Sequence, residues 1–200
     1  MLHSFIKRSP AEPRERRRDM RHAVVQEIAK LVWAHGEELC IVRDVAPGGL
    51  RAEIYRSMPI GADVRCELRT GGTLSGNVAW VRDGHVGIGF AERVPMSSIL
   101  TQCSLDPRVG TIRQPRVQAD MPGSLRIDFR DTPVRIRNVS QGGLLVAGEE
   151  PVRPGGRCQI EAKGLEMRAA TVAWWRDQEG GLMLAKPLSF EEFAAWRMEA

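Results

Sequence analysis

The chain has 200 residues, 42% of them hydrophobic, with 29 Lys and Arg against 25 Asp and Glu for a formal net charge of +4. It is long enough to bury a core, either as one large domain or as two of about 100 residues. Met1 to Ile6 is too short an apolar stretch for a signal peptide, and there is no apolar run of about 18 residues, so a cytoplasmic protein with no transmembrane segment is expected.

Residues 1–13 carry Pro10 and Pro13 with little apolar periodicity and read as a mobile N-terminal arm. Arg14, Arg16, Arg17, Arg18 and Arg21 follow and hold much of the basic excess. Such a run is either solvated or a docking place for an anionic partner. Short strands are predicted near 24–33, 38–45, 49–55, 62–68, 73–82 and 85–91, with Gly71-Gly72 and Asp83-Gly84 as hairpin turns. The spacing of Ala23 to Trp33 fits a helix as well as a strand. Met96 and Ile99 lie in a segment that reads as a short amphipathic helix, and Cys103 to Thr111, with Pro107 and Gly110, reads as a linker. Further strands are predicted near 116–120, 124–129, 133–139, 143–147, 157–162, 166–176 and 180–185. Ser189 followed by Glu192 forms a capping box for a last helix, whose stripe of Phe190, Phe193 and Trp196 is expected to pack on its own barrel.

An offset of 94 residues lays much of the chain on itself without gaps. Asp44-Val45-Ala46-Pro47-Gly48-Gly49-Leu50 falls on Asn138-Val139-Ser140-Gln141-Gly142-Gly143-Leu144, Val78-Ala79-Trp80 on Val172-Ala173-Trp174, and Arg82-Asp83 on Arg176-Asp177. Gly61 falls on Gly155 and Gly87 on Gly181. The chain is therefore expected to be dominated by β-structure: two small closed or nearly closed β-barrels in tandem, each followed by a short C-terminal α-helix. The first domain is expected over 14–105 and the second over 106–200.

No catalytic constellation is present. His3, His22, His35 and His85 lack metal-ligand spacing, and no phosphate-cradling G-x-x-x-x-G-K or G-x-S-x-G elbow occurs. Cys40, Cys66, Cys103 and Cys158 form no C-x-x-C pair and read as core residues or linker thiols. No enzyme activity, metal or cofactor is expected. Trp80 and Trp174-Trp175 sit at equivalent strand positions and are expected in the core. With little interleaving of aromatic and basic residues on the strands, DNA or RNA binding is not expected.

What remains is a pair of arginines, Arg17 and Arg21, entering the first barrel, followed 23 residues later by Asp44-x-Ala46-x-x-Gly49. This arrangement resembles the PilZ family, known by RxxxR followed by (D/N)xSxxG on a six-stranded barrel with a C-terminal helix. The resemblance runs from about Arg14 onward, once per module. It implies that the protein binds the bacterial second messenger cyclic di-GMP as a ligand and passes that state to a downstream protein partner. Residue chemistry agrees with the implication. The ligand is a compact dianion with two guanines, and guanidinium groups can fork to phosphates, reach guanine N7 and O6, and lie flat on a purine. The turn would offer a carboxylate or amide and a hydroxyl to a guanine edge, while its glycine permits close approach.

The two copies depart from the motif differently. In the first, Arg17, Arg18, Arg21, Asp44 and Gly49 are present, but Ala46 stands where serine is expected. In the second, Asn138, Ser140 and Gly143 are intact, while the arginine pair has become Ile112 and Arg116, with Arg113 beside them as a substitute. Losing a neutral hydroxyl contact costs about 0.5–1.5 kcal/mol and losing a charged arginine contact about 1.5–3 kcal/mol, so the first copy is the expected binder. The alternative is a degenerate PilZ-like adaptor that binds no cyclic di-GMP and acts through protein–protein contacts.

Overall fold

The computed structural model describes residues 22–69, 71–95, 97–98, 114–149 and 152–199, with side chains from Glu27 onward. The first copy contains β1 (His22–Trp33), β2 (Gly36–Ala46), β3 (Gly49–Glu53), β4 (Asp63–Leu68), β5 (Thr73–Arg82) and β6 (His85–Phe90). They close into a barrel in the order β1-β2-β3-β6-β5-β4. The second contains β7 (Val117–Ile127), β8 (Arg130–Ser140), β9 (Gly143–Ala147), β10 (Arg157–Ala162), β11 (Leu165–Arg176) and β12 (Glu179–Leu184), closed in the same order, followed by helix α1 (Phe190–Glu199). Closure leaves no open sheet edge in either copy.

The strands form because apolar residues alternate along them and point into the barrel. Val64, Cys66 and Leu68 on β4 face inward with Leu74 and Val78 on β5, as do Cys158 and Ile160 on β10. Cys40, Cys66 and Cys158 are all buried core residues, and burial pushes the Cys158 thiol up to about 11. Cys103 and the linker lie outside the described residues.

The offset of the sequence repeat is also the offset of the structure. Irregularities in pairing occur between Val42 and Asp44 and between Ile136 and Asn138, and again between Val78 and Trp80 and between Val172 and Trp174. The Gly61 amide donates to the Val78 carbonyl at 2.7 Å, and the Gly155 amide to that of Val172 at the same distance. Both glycines have positive φ, 84° and 82°. A glycine survives at this position in each copy because the turn demands the left-handed region.

The strand expected near 24–33 is present: of the two readings that the spacing of Ala23 to Trp33 allowed, strand holds, since β1 pairs with β2 on one side and β4 on the other, with Ala29 and Leu31 inward. One expectation is corrected: the predicted strands at 116–120 and 124–129 are one strand, β7. Residues 121–123 continue pairing with β8, Pro122 opposite Arg135, and the interruption is a bulge between Gln118 and Met121 rather than a turn. The turn comes at Asp128-Phe129, both at positive φ. The helix expected after the first barrel, around Met96 and Ile99, lies outside the described residues except for Ser97 and Ser98.

Helix α1 opens with the capping box: the Ser189 amide donates to Glu192 Oε2 at 2.8 Å and the Glu192 amide to Ser189 Oγ at 3.1 Å. Phe193 and Trp196 are buried in the core of the second barrel, as expected, and Trp196 Nε1 donates to the Lys163 carbonyl at 2.9 Å. The same core also takes in the first barrel. Leu39 is fully buried within it, and Ile28, Ile41 and Tyr55 pack against it. Tyr55 meets Phe190 and Phe193 edge-on at 5.8 and 6.2 Å between ring centroids. The amide of Gln118 on β7 donates to Glu37 on β2. The stripe is therefore both a lid on its own barrel and a joint to the other.

Phe193→Ala is expected to cost about 3–5 kcal/mol of stability, read from urea unfolding, because it vacates space between the barrels. Glu192 is held below the usual carboxylate range by the Ser189 amide and then by Arg168. Its folded-state value being depressed, its contribution is present above that range and lost as the pH falls through it. A Glu192→Gln variant is expected to show a shallower loss of thermal stability on acidification than the wild type.

Candidate functional site

The corner joining β2 to β3 gathers the sequence-predicted residues of the first copy. The bulge after Val42 places Asp44 directly opposite Arg51 on β3. Arg51 donates from Nε to Asp44 Oδ2 at 2.7 Å, with Nη2 at 2.6 Å from the same oxygen. Both side chains remain partly exposed, so the pair adds little stability but gives the carboxylate a defined direction. The Gly48 carbonyl accepts from Phe90 at 3.0 Å and the Pro47 carbonyl from Val94 at 2.8 Å, tying the turn to the chain after β6. At Gly49 a Cβ would lie 2.4 Å from the Ile88 carbonyl oxygen, so β3 reaches β6 only because this residue has no side chain.

The corner opens on a groove of about 760 Å³ across the outside of the barrel. Asp44, Ala46, Gly49 and Arg51 line one side, Trp80 and Arg82 the other. The expectation that the tryptophans are core is overturned for Trp80 and Trp174, whereas Trp175 is partly buried against the core of the second barrel. Trp80 is 38% exposed and Trp174 37% exposed, because the bulge in β5 and β11 turns each ring onto the outer surface. Each indole lies over a glycine: a Cβ on Gly87 would fall 2.1 Å from Trp80 Nε1, and one on Gly181 2.3 Å from Trp174 Nε1. The Arg82 guanidinium sits 5.9 Å from the Trp80 ring centroid, and that of Arg176 5.3 Å from Trp174. The groove thus combines a carboxylate, two guanidinium groups and an aromatic face, a mixture that recognises a planar, hydrogen-bonding anion.

The start of β1 runs beside this corner, with His22 opposite Val45 and Val24 opposite Asp44. Arg17, Arg18 and Arg21, which precede it in sequence, lie outside the described residues, as does Arg113. Arg116 is exposed immediately before β7.

The second corner has the same backbone and a different filling. Asn138 faces Leu145 where Asp44 faces Arg51, and its Oδ1 is buried without a hydrogen-bond partner. Ser140 is buried, and its hydroxyl donates to the Gly143 carbonyl at 3.2 Å. Gly143 repeats the close approach, with a Cβ position 2.3 Å from the Leu182 carbonyl. Gln114 enters this corner from the segment before β7. Its Oε1 accepts from the Gly142 amide at 2.6 Å and occupies the turn, whereas a Cβ on the equivalent Gly48 would meet nothing within 4 Å.

Sequence reasoning missed Arg51, Trp80, Arg82 and Gln114. The recurrence of Trp80-x-Arg82 as Trp174-x-Arg176 was a usable signal for two of them. Nothing local marks Gln114. Among the described residues no group of three or more His, Cys, Asp or Glu could hold a metal ion, and no helix is long and apolar enough to cross a membrane.

No protein-family model matches the chain, and no curated protein is similar to it. Among solved structures it is similar to Borreliella burgdorferi PlzA in complex with c-di-GMP, at 8% identity and a TM-score of 0.40 over 88% of each chain. It is also similar to the Bacillus subtilis inhibitor of motility MotI/DgrA, at 12% identity and 0.37 over 87% of this chain and 94% of that one. For Escherichia coli YcgR in complex with c-di-GMP the values are 14% and 0.31, over 86% and 82%. At such distances neither ligand nor role passes from those chains to this one. The class that the fold and the corner define is a tandem of closed six-stranded barrels, each with a glycine turn that carries Asp44 or Asn138.

Gly49→Ala is expected to destabilise the first barrel by about 1–3 kcal/mol through the clash with Ile88. Gly48→Ala, which meets open space, is expected to leave the melting temperature within about a degree or raise it slightly. Thermal unfolding of the two variants side by side checks the corner geometry.

Proposed function

We propose that the protein is a non-catalytic receptor for cyclic di-GMP that binds the dinucleotide mainly at the corner of the first barrel and passes that state to a partner protein. The observation that carries the reading is the open groove in which Asp44 and Arg51 face Trp80 and Arg82, beside the place where the arginine-bearing segment enters β1. Asp44 offers its carboxylate to the Watson–Crick edge of a guanine, where donors face outward. Arg17 and Arg21 neutralise the two phosphates and reach the guanine N7 and O6 edge, with Arg18 as auxiliary charge. Arg51 holds the Asp44 carboxylate in a fixed direction.

The second copy supports the same division. Its corner lacks the arginine pair, and Gln114 already occupies the amide at the turn. Asn138, Ser140, Gly143, Arg113 and Arg116 are therefore assigned to a vestigial site. A second reading, a ligand-free adaptor, is favoured by the corner polar groups that are spent inside the fold, Asp44 on Arg51 and Ser140 on Gly143.

Calorimetry with cyclic di-GMP separates the two readings. Micromolar or tighter binding is expected, with Arg17→Ala/Arg21→Ala removing most of it and Asp44→Ala weakening it by about tenfold or more. Ala46→Ser, which restores the missing hydroxyl, is expected to tighten binding by up to about tenfold. No heat and no thermal shift at high ligand concentration would leave only the adaptor.

A further inference from the structure

At the far end of the second barrel lies a basic groove that the proposed receptor site does not use. It has a volume of about 690 Å³ and is lined by Ile127, Asp128, Val152, Arg130, Arg153 and Arg157 among others. Arg130 begins β8 and Ser140 ends it, so the groove is roughly 33 Å along the strand from the second corner. Most arginines on these barrels sit against a carboxylate, among them Arg43, Arg51, Arg65, Arg126, Arg135 and Arg168. Arg130, Arg153 and Arg157 are exposed and make no ion pair among the described residues. Three guanidinium groups from two separate segments thus share one depression, with Asp128 as the one carboxylate among its described lining residues.

A second observation stands beside it. Phe129, at the tip of the hairpin that forms one wall, is 99% exposed and held at φ 64°, a region bulky residues seldom adopt. The equivalent turn in the other hairpin of this barrel places the polar Gln178 at the same φ. The chain therefore keeps an aromatic ring projecting from a strained turn with nothing packed on it.

The fold requires neither feature. Ninety-four residues earlier, the first copy has His35 in place of Phe129, and Gly36, Pro59 and Asp63 in place of the three arginines. The same barrel closes there with other residues at all four positions, so closure of the fold does not account for them.

We propose that this end of the second barrel docks on an anionic phospholipid surface, with phosphate headgroups in the groove of Arg130, Arg153 and Arg157 and the Phe129 ring inserted at the headgroup level. The arginines account for a polyanion and the apolar floor of Ile127 and Val152 for its partly dehydrated seat. A soluble phosphate compound would use the groove but leave the ring in water. A membrane interface uses both, since an aromatic tip beside basic residues is suited to the boundary between headgroup and acyl chain.

The test is co-sedimentation of the full chain with vesicles of phosphatidylglycerol and phosphatidylcholine, and with phosphatidylcholine alone. Binding is expected only to the anionic vesicles and is expected to weaken as salt rises. Arg130→Gln/Arg153→Gln/Arg157→Gln is expected to lower the partition coefficient by about 100-fold. Phe129→Gly is expected to lower it by about tenfold while leaving the melting temperature equal or higher, because glycine relieves the turn. The basic segment Arg14–Arg21 is unchanged in these variants, so vesicle binding that survives both substitutions belongs to that segment and overturns the proposal. Failure of the wild type to bind overturns it too. Inorganic phosphate or glycerol 3-phosphate protecting the groove arginines as strongly as vesicles, with no effect of Phe129→Gly, would make the site one for a soluble phosphate instead.

Discussion

Each barrel closes where one glycine lets a strand touch the carbonyl of its neighbour. At Gly49 and Gly143 a Cβ would stand 2.4 and 2.3 Å from the oxygens of Ile88 and Leu182, well inside any tolerable contact. β3 and β9 are only five residues long, and each joins the two halves of its barrel. Without this approach β2 and β6 would become open edges, and the corner that carries Asp44 or Asn138 would lose its shape. The groove on the first barrel, the tie from Pro47 and Gly48 to the chain beyond β6, and the opposition of Asp44 and Arg51 all follow from that contact.

On this shared backbone the copies have moved apart in charge rather than in geometry. The same cross-strand position holds an ion pair, Asp44 with Arg51, in one copy and a neutral pair, Asn138 with Leu145, in the other. At the equivalent turn, a Cβ on Gly48 would meet nothing within 4 Å among the described residues, whereas the Gly142 amide donates to Gln114. The positions that hold Arg130, Arg153 and Arg157 at one end of the second barrel hold Gly36, Pro59 and Asp63 in the first. Backbone hydrogen bonds, bulges and positive-φ turns stay in place because they hold the barrel closed. Side chains on the outer surface are free to diverge, so function could be divided without disturbing the fold.

The two barrels do not fold as isolated beads. Leu39, on the outer face of β2, is wholly buried in the core that Phe193 and Trp196 complete. Tyr55 reaches the same joint two residues beyond the end of β3, and burial together with Glu38 holds its hydroxyl well above the usual tyrosine range. β3 therefore begins at the corner and leads directly to the joint. Whatever occupies the corner lies one short strand away from the contact between barrels.

The strand pattern, the repeat and its register were legible in the sequence, because alternation with period two and a 94-residue self-match are written in consecutive residues. Hairpin turns at Asp83-Gly84 and the capping box at Ser189 were legible for the same reason: each is satisfied by neighbours three or fewer positions away. The single strand β7 was not, since Pro122 looks like a breaker until β8 is seen to tolerate it. The surface position of Trp80 and Trp174 was hidden as well, because a bulge reverses the alternation from which burial was read. The joining role of α1, the Asp44–Arg51 pair and the Gln114 plug unite residues distant in the chain or on different strands. Local sequence determined the two barrels and the motif at each corner. Only tertiary structure decided that Gln114 fills the second corner and that Asp44 meets Arg51 in the first, because both depend on side chains brought together by closure and not by adjacency.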